Sequence, residues 1–442
     1  MPDLTFFPLG EPKPIAPLPP GAPRFQVPVR HQVEIIQSDL DSLLEWDHQA
    51  RAVVDYVASA DLSVLHAHIL AFEGRAGRTP IDPRMLLALW IYATLRGVGS
   101  ARALAALCED HIAYRWICGG VSVNYHTLAD FRSESADIFE RVMIDGIARL
   151  RAADLVTLDK VAHDGMRVRA CAGSGSYHSK ESLGKLRAEA EEQVRTLRQE
   201  LHDNPAAGSA RQKAARLRAA RERQERIDEA LKQEPEIAAQ KKDKKKKARA
   251  SIVDPDARFM RMANGGTNSA LNVQLSADVD SQIIVGASVS RCGSDHALLV
   301  PAVEQIQAQA GDTPNAMLAD GGFGKPEGVD ALSKAPNACT VYMPPTQFKD
   351  KDGNLKEPKE NEPPAVKEWR ERMKTEDAQT IYKERASTIE CVNALARNRG
   401  LQRLPVRGLQ RVKAVVFLFV LAHNFAREQS LKAEKAAATP KK

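Results

Sequence analysis

Three acidic residues in two kinds of setting restrict this chain more than any other feature. Asp164 lies in VAHDG and Asp320 in MLADGG, each after a β-rich run and before glycine. That pattern describes a strand that delivers a carboxylate at its rim, with the glycine letting the chain turn away. Glu390, in RASTIECVNALARNRG, has apolar Ile389, Val392 and Leu395 around it at roughly helical spacing, so it projects from a helix. Strand, strand and helix can deliver the three to one shared site. Like charges about 4 Å apart repel by roughly 4 kcal/mol at an effective dielectric near 20, so something cationic must sit among them. Hard oxygen ligands select Mg²⁺, with Mn²⁺ as substitute, over zinc. Two such ions roughly 4 Å apart can clamp the attacking and leaving oxygens of a displacement at phosphorus. Such chemistry needs no serine or cysteine nucleophile.

The hydrophobic period divides the chain. Residues 1–30 carry too many prolines for regular structure and read as a flexible arm. Over 31–153 the apolar spacing is near 3.6, as in MLLALWIYATLRG and DIFERVMIDGIARL, which predicts an all-α domain. Within it, SARALAALCEDHIAYRWICGG followed by VNYHTLADFRSES has the short helices and tight breaks of a helix-turn-helix. There Tyr125, His126 and Arg132 would face DNA, and a plain helical bundle is the alternative. From 154 the period moves toward two. A sheet domain is predicted over 154–180 and 251–429, interrupted at 181–250 by a charged helical hairpin with a turn at HDNPAAGS. A helix at 295–310, strands AMLAD and CTVYMPP, a polar loop at about 347–362 and a closing helix at 411–427 follow, with 430–442 as a frayed tail.

Length favours more than one unit with a sizeable core. A formal charge of +6 with pI near 8.9 is too mild to argue for nucleic acid alone. The run KKDKKKKARA at 241–250 is a concentrated cation cluster, suited to phosphates or to a solvated linker. Six cysteines stand far apart without a CxxC pair, against a zinc finger or a disulfide framework and in keeping with a reducing cytoplasm. The N-terminus lacks the pattern of a signal peptide, and the apolar run at 414–422 is short of the roughly 20 residues a membrane span needs.

In this order the elements resemble the DDE transposases of bacterial insertion sequences. The resemblance runs from about residue 50 to 426. It is carried by IDPRMLLALWIYATLRGVGSARALAALCEDHIAYRWICGG with HTLADFR, by HDGMRVRACAGSGS, by DPDARFM with NVQLSADVD, by LADGGFG, and by YKERASTIECVNALARNRG with LPVRGLQRVKA. It implies an α/β fold: an RNase H-like, retroviral-integrase-type mixed sheet with an all-α N-terminal domain and the inserted charged hairpin. It further implies Asp164, Asp320 and Glu390 as catalytic ligands of two Mg²⁺ ions, and Tyr382, Arg385 and Arg397 as the tyrosine and basic positions that accompany the glutamate. The implied activity is cutting the ends of an insertion sequence and joining the 3′ hydroxyls to target DNA. Partners would be double-stranded DNA, both terminal inverted repeats and target, with a homodimer or larger assembly on DNA and no membrane. The implied setting is a bacterial cytoplasm, nucleoid-associated when bound to DNA.

The chain departs from the strictest pattern at two points. One extra residue separates Arg385 from Glu390, which on an ideal helix turns the arginine well away from the glutamate, and Arg397 stands where lysine is usual. Arg397 lies two turns from Glu390 on nearly one face, suited to a phosphate. Arg167, Arg169 and Lys325 are further phosphate candidates, or merely solvated.

Each acid also has a structural reading. Asp-Gly after a strand is a common turn, and Ser387 with Glu390 fits an S-x-x-E capping box. His163 should face away from Asp164 into packing, and Asp295 reads as the N-cap of the helix that follows it. Rival functions are a catalytically silent DNA-binding regulator of transposon origin and a metal-dependent nuclease without strand transfer.

Overall fold

The computed structural model describes residues 39–63, 79–203, 209–240, 247–348, 357 and 360–438 of the chain. The proline-rich arm, positions 241–246 of the lysine run, much of the 347–362 loop and residues 439–442 lie outside the described residues.

The first part is helical: α1 (Gln49–Ala58), α2 (Pro83–Leu95), α3 (Ala101–Asp110), α4 (Ile112–Cys118), α5 (Tyr125–Glu134) and α6 (Ala136–Ala152). Local chemistry sets their starts. Asp82, Ser100 and Asn124 each accept a backbone amide at a helix N-terminus, and Pro83 opens α2, where its missing N–H costs nothing. Helix α2 is buried without a break from Leu86 to Ala93, as expected of a helix apolar on every face. Trp90 donates its indole N–H to the Leu128 carbonyl at 3.0 Å, tying α2 to α5.

Beyond it a mixed sheet forms around β1 (Lys160–Arg169). On one side β1 pairs antiparallel with β5 (Thr267–Asp278); the outer edge of β5 carries β4 (Arg258–Arg261) and β6 (Ile284–Ser290), both antiparallel. On the other side β1 pairs parallel with β7 (Ala316–Ala319), and β7 parallel with β8 (Thr340–Tyr342). Helices α9 (Leu299–Ala310) and α10 (Pro326–Lys334) make the crossovers that parallel strands require.

The charged insertion is the hairpin α7 (Lys180–Asp203) and α8 (Ala210–Gln240). Its base is a two-stranded ladder of β2 (Tyr177–His178) and β3 (Ala250–Ser251), and its own small cores gather Leu183, Ala230 and Ile237, then Val194, Leu197 and Ala220.

After α11 (Pro364–Arg372) and α12 (Glu376–Arg385), the chain runs through a π-helical turn, Ala386–Glu390, into α13 (Cys391–Asn398). It closes with α14 (Leu409–Ala438), which packs on β6 and on α2, α5 and α6 together. A single hydrophobic core therefore runs from Leu44 in the helical part through the sheet to Phe425. By length and composition α14 could cross a membrane, yet two-thirds of its most apolar stretch is buried inside the protein, the mark of a core helix. Its start is capped from afar: Gly408 donates to Asp254 and Leu409 to Asp256, satisfying amides that a helix cannot pair internally.

Two expectations are corrected. The stretch read as a frayed tail stays helical to Ala438. Helix α9 begins at Leu299, with Leu298 at its N-cap, so Asp295 does not cap it.

Candidate active site

Asp164 and Asp320 arrive on neighbouring strands. The parallel register of β1 with β7 ends at His163 opposite Ala319, so the next step sets Asp164 beside Asp320 on strands about 4.8 Å apart. Asp320 ends its strand as expected, accepting the Gly321 amide at the head of a 3-10 turn. Asp164 does not: β1 continues through Asp164 and Gly165 to Arg169, so the glycine is not a turn. Side chains alternate along a strand, and Gly165 faces the far side, where a Cβ would lie 2.4 Å from Gln274 Nε2 and 2.6 Å from Asp295 Oδ1. Close approach explains the glycine. His163 shares that side, fully buried, its ring nitrogens bonded to Ser276 and Gln274, and burial pushes it down to about 4.

Glu390 reaches the sheet through helical geometry that sequence spacing conceals. Five residues of α-helix, at about 100° each, would leave Arg385 and Glu390 about 140° apart. The π-helical turn Ala386–Glu390 falls between them and absorbs the extra residue. Arg385 consequently donates to Glu390 Oε1 at 2.8 Å and lies 3.4 Å from Asp164 Oδ2, bridging the two acids. The expectation that Arg385 points away is overturned. The capping-box reading of Ser387 and Glu390 also falls, since the helical path is continuous there and Ser387 donates instead to the Glu384 carbonyl.

Both ends of this helical run are fastened to β1. Lys160 pairs with Glu384 at 2.5 Å, and beyond α13 the Arg169 backbone bonds Gln402 and Leu404. From the middle, Gln282, a non-glycine residue at φ 57°, donates its amide to the Ser387 carbonyl.

On this face Asp164 and Glu390 share one buried guanidinium, with Asp320 beside Asp164 across the β1–β7 register. Tyr382, half-buried, is held above its ordinary value by burial, with Asp320, Glu390 and Asp164 pushing the same way against Arg385; its hydroxyl thus lies in the field of all three acids. Burial likewise raises Asp164, and Asp295 and Asp320 add to it, while Arg385 and the Gly165 amide oppose. Asn393, buried, donates to Asp164 Oδ2 at 3.0 Å and leaves its own Oδ1 without a hydrogen-bond partner. Among the described residues, no three His, Cys, Asp or Glu side chains stand as a ready-made metal cage.

A family model described as Transposase domain (DUF772) matches residues 38–134, and one described as Transposase DDE domain matches residues 335–428. The two matches together support an insertion-sequence DDE transposase. No curated protein and no solved structure matches it. In this transposase Tyr382, Arg385, Glu390 and Arg397 fall inside the matched DDE span, whereas Asp164 and Asp320 precede it.

The remaining expected contacts are spread out. Arg397 and Lys325 are exposed, Lys325 at the N-cap of α10. Arg167 is engaged behind the site, donating to Asp295 at 3.0 Å and to the Gly293 carbonyl. Arg132 is buried at 7% exposure, its guanidinium 4.4 Å above Trp90, which rules out an outward-facing role in a recognition helix. Two further residues, missed by sequence reasoning, contact this region. Asn393 lies three residues after Glu390, on the same helical face, and that spacing was its signal. Asp295, bonded by Asn272, Gln274 and Arg167, gave none beyond its acidity.

Proposed function

We propose that this transposase cuts the ends of an insertion sequence and joins the freed 3′ hydroxyls to target DNA, at a site made by Asp164, Asp320 and Glu390. The observation that carries the reading is the β1–β7 register, which sets Asp164 beside Asp320 under the helical run holding Glu390. The sheet, antiparallel on one side of β1 and parallel on the other, supports an RNase H-like core.

The residues fit a divalent cation of the Mg²⁺ class. Every donor is a hard oxygen, two of the three carboxylates share a single guanidinium, and Asn393, whose Oδ1 has no partner, is bonded to Asp164. Asp164 and Asp320 would hold it, and Glu390, more than half exposed, would join by releasing Arg385. When bound, it supplies Lewis acidity that activates an attacking hydroxyl and steadies a departing oxygen.

The chain's own residues do the rest. Arg385, released from Glu390, has a fork suited to a phosphate oxygen, with Tyr382 adjacent and exposed Arg397 further along the same helical run. Joining forms one phosphorus–oxygen bond as another breaks, so it needs no external energy source. Asp164→Asn or Asp320→Asn should abolish strand transfer with labelled element ends while leaving end binding intact. Strand transfer by either variant would overturn the assignment.

One observation favours a second reading. Arg385 already neutralises two of the acids, as a catalytically silent DNA-binding regulator would permit. A gel shift with Mg²⁺ separates them, because a silent binder shifts the ends without nicking them, and covalent joint products exclude a nuclease that only cuts.

A further inference from the structure

Away from the acids, a cavity of about 150 Å³ opens where the helical part meets the segment after α13. By volume it would hold about five waters. Its walls bring together the two regions that the family models match: Trp90 and Arg132 come from the first, and Arg399, Arg403 and Phe419 from the second. Gly400, at φ 96°, has its backbone against Gly97, so the two loops close on each other without a side chain between them.

The cavity is cationic and lacks a counter-charge. Arg132, Arg399 and Arg403 line it, no acidic side chain does among the described residues, and no described carboxylate pairs with any of the three. Two of these arginines hold donors they do not use. Arg132 gives one nitrogen to the Gly99 carbonyl at 2.6 Å and lays its plane on Trp90, yet its buried Nε has no partner. Arg399 keeps a buried Nη1 with none. Burial lowers both groups, Arg132 to about 10, because nothing nearby compensates their charge. An unpartnered buried donor costs about 1–3 kcal/mol, more when charged, and a bound anion removes that penalty.

We propose that this cavity is a phosphate-binding site, bridging the helical part and the C-terminal segment through Arg132, Arg399 and Arg403. Guanidinium forks match phosphate oxygens, and the wall supplies three of them, two with unused buried donors, and no competing carboxylate among the described residues. The phosphate can belong to the DNA backbone or be free in solution; the chemistry is the same.

Calorimetric titration of the full chain with inorganic phosphate at fixed ionic strength tests it. One saturable site is expected in the unaltered protein, weakened about tenfold or more by Arg399→Gln. Arg403→Gln, at an exposed position, gives the same reading if Arg399→Gln does not fold. Asp320→Asn should leave phosphate binding unchanged, so this result stands or falls apart from the catalytic reading. If DNA supplies the phosphate, a duplex of the element end competes with the titrant, and Arg399→Gln lowers the salt slope of DNA binding by about one. If the phosphate is free, the duplex leaves the titration unaltered. No saturable binding at millimolar phosphate, or binding undiminished in both variants, would overturn the proposal.

Discussion

Asp164 is held from both sides of β1. In front, Arg385 and Asn393 grip its carboxylate; behind, Gln274, Asn272 and Asp295 crowd the position next to it so closely that only a hydrogen fits at residue 165. Asn272 and Gln274 both donate to Asp295 Oδ1, so they cannot yield as loose side-chain ends would. Gly165→Ala should therefore destabilise the fold by about 1–3 kcal/mol, the range for overpacking, read as a lower midpoint in urea. An unchanged midpoint would mean that the network relaxes freely. From sequence, the identity of Asp164 as a candidate was legible, and so was the opposite orientation of His163, because strand alternation needs only the period. What the glycine does was not legible, since its neighbours come from β5 and from the segment before α9, more than a hundred residues away.

At the scale of elements, the π-helical turn decides how Glu390 meets the sheet. A π bulge is one residue added to an α-helix, and the faces on either side keep their register. Deleting exposed Ser387 should convert the turn to α-helix and set Arg385 and the glutamate four apart, still on one face. The variant is expected to melt no lower than the parent and to keep nicking activity within about tenfold, a 1.4 kcal/mol change in barrier. Loss of activity with an intact fold would show that the bulge itself is required. The extra residue between Arg385 and Glu390 is plain in the sequence, but its geometry is not, because Gln282 and the β1 anchors hold the segment away from ideal helical rotation. The hairpin insertion was legible for the opposite reason: its leucines repeat locally and it packs mainly on itself.

Over the whole molecule, one core joins helices and sheet, and α14 is its axis. His423 lies buried in that helix with its Nε2 donating to the Gln282 carbonyl at 2.9 Å, and burial pushes its titration down to about 4. A folded value below the unfolded 6.5 means that the unfolded chain binds the extra proton first. This contribution is therefore intact above pH 6.5 and is lost as pH falls toward 4, with a slope of at most about 1.4 kcal/mol per pH unit. Melting temperatures between pH 7 and 5 should fall, and His423→Gln should flatten the dependence; an equal slope in that variant would assign acid lability elsewhere. The role of α14 as the shared packing axis was only half legible. Its apolar face was plain, yet which layers it would join depends on contacts that no local period encodes. The convergence of the three acids likewise rests on strand order and on distant anchors. It can be tested directly by crystallising the full chain with Mn²⁺ and locating the ion by its anomalous signal. A peak held by Asp164 and Asp320, absent in Asp320→Asn, is the predicted result, whereas an active protein whose Mn²⁺ binds away from both carboxylates would contradict the account.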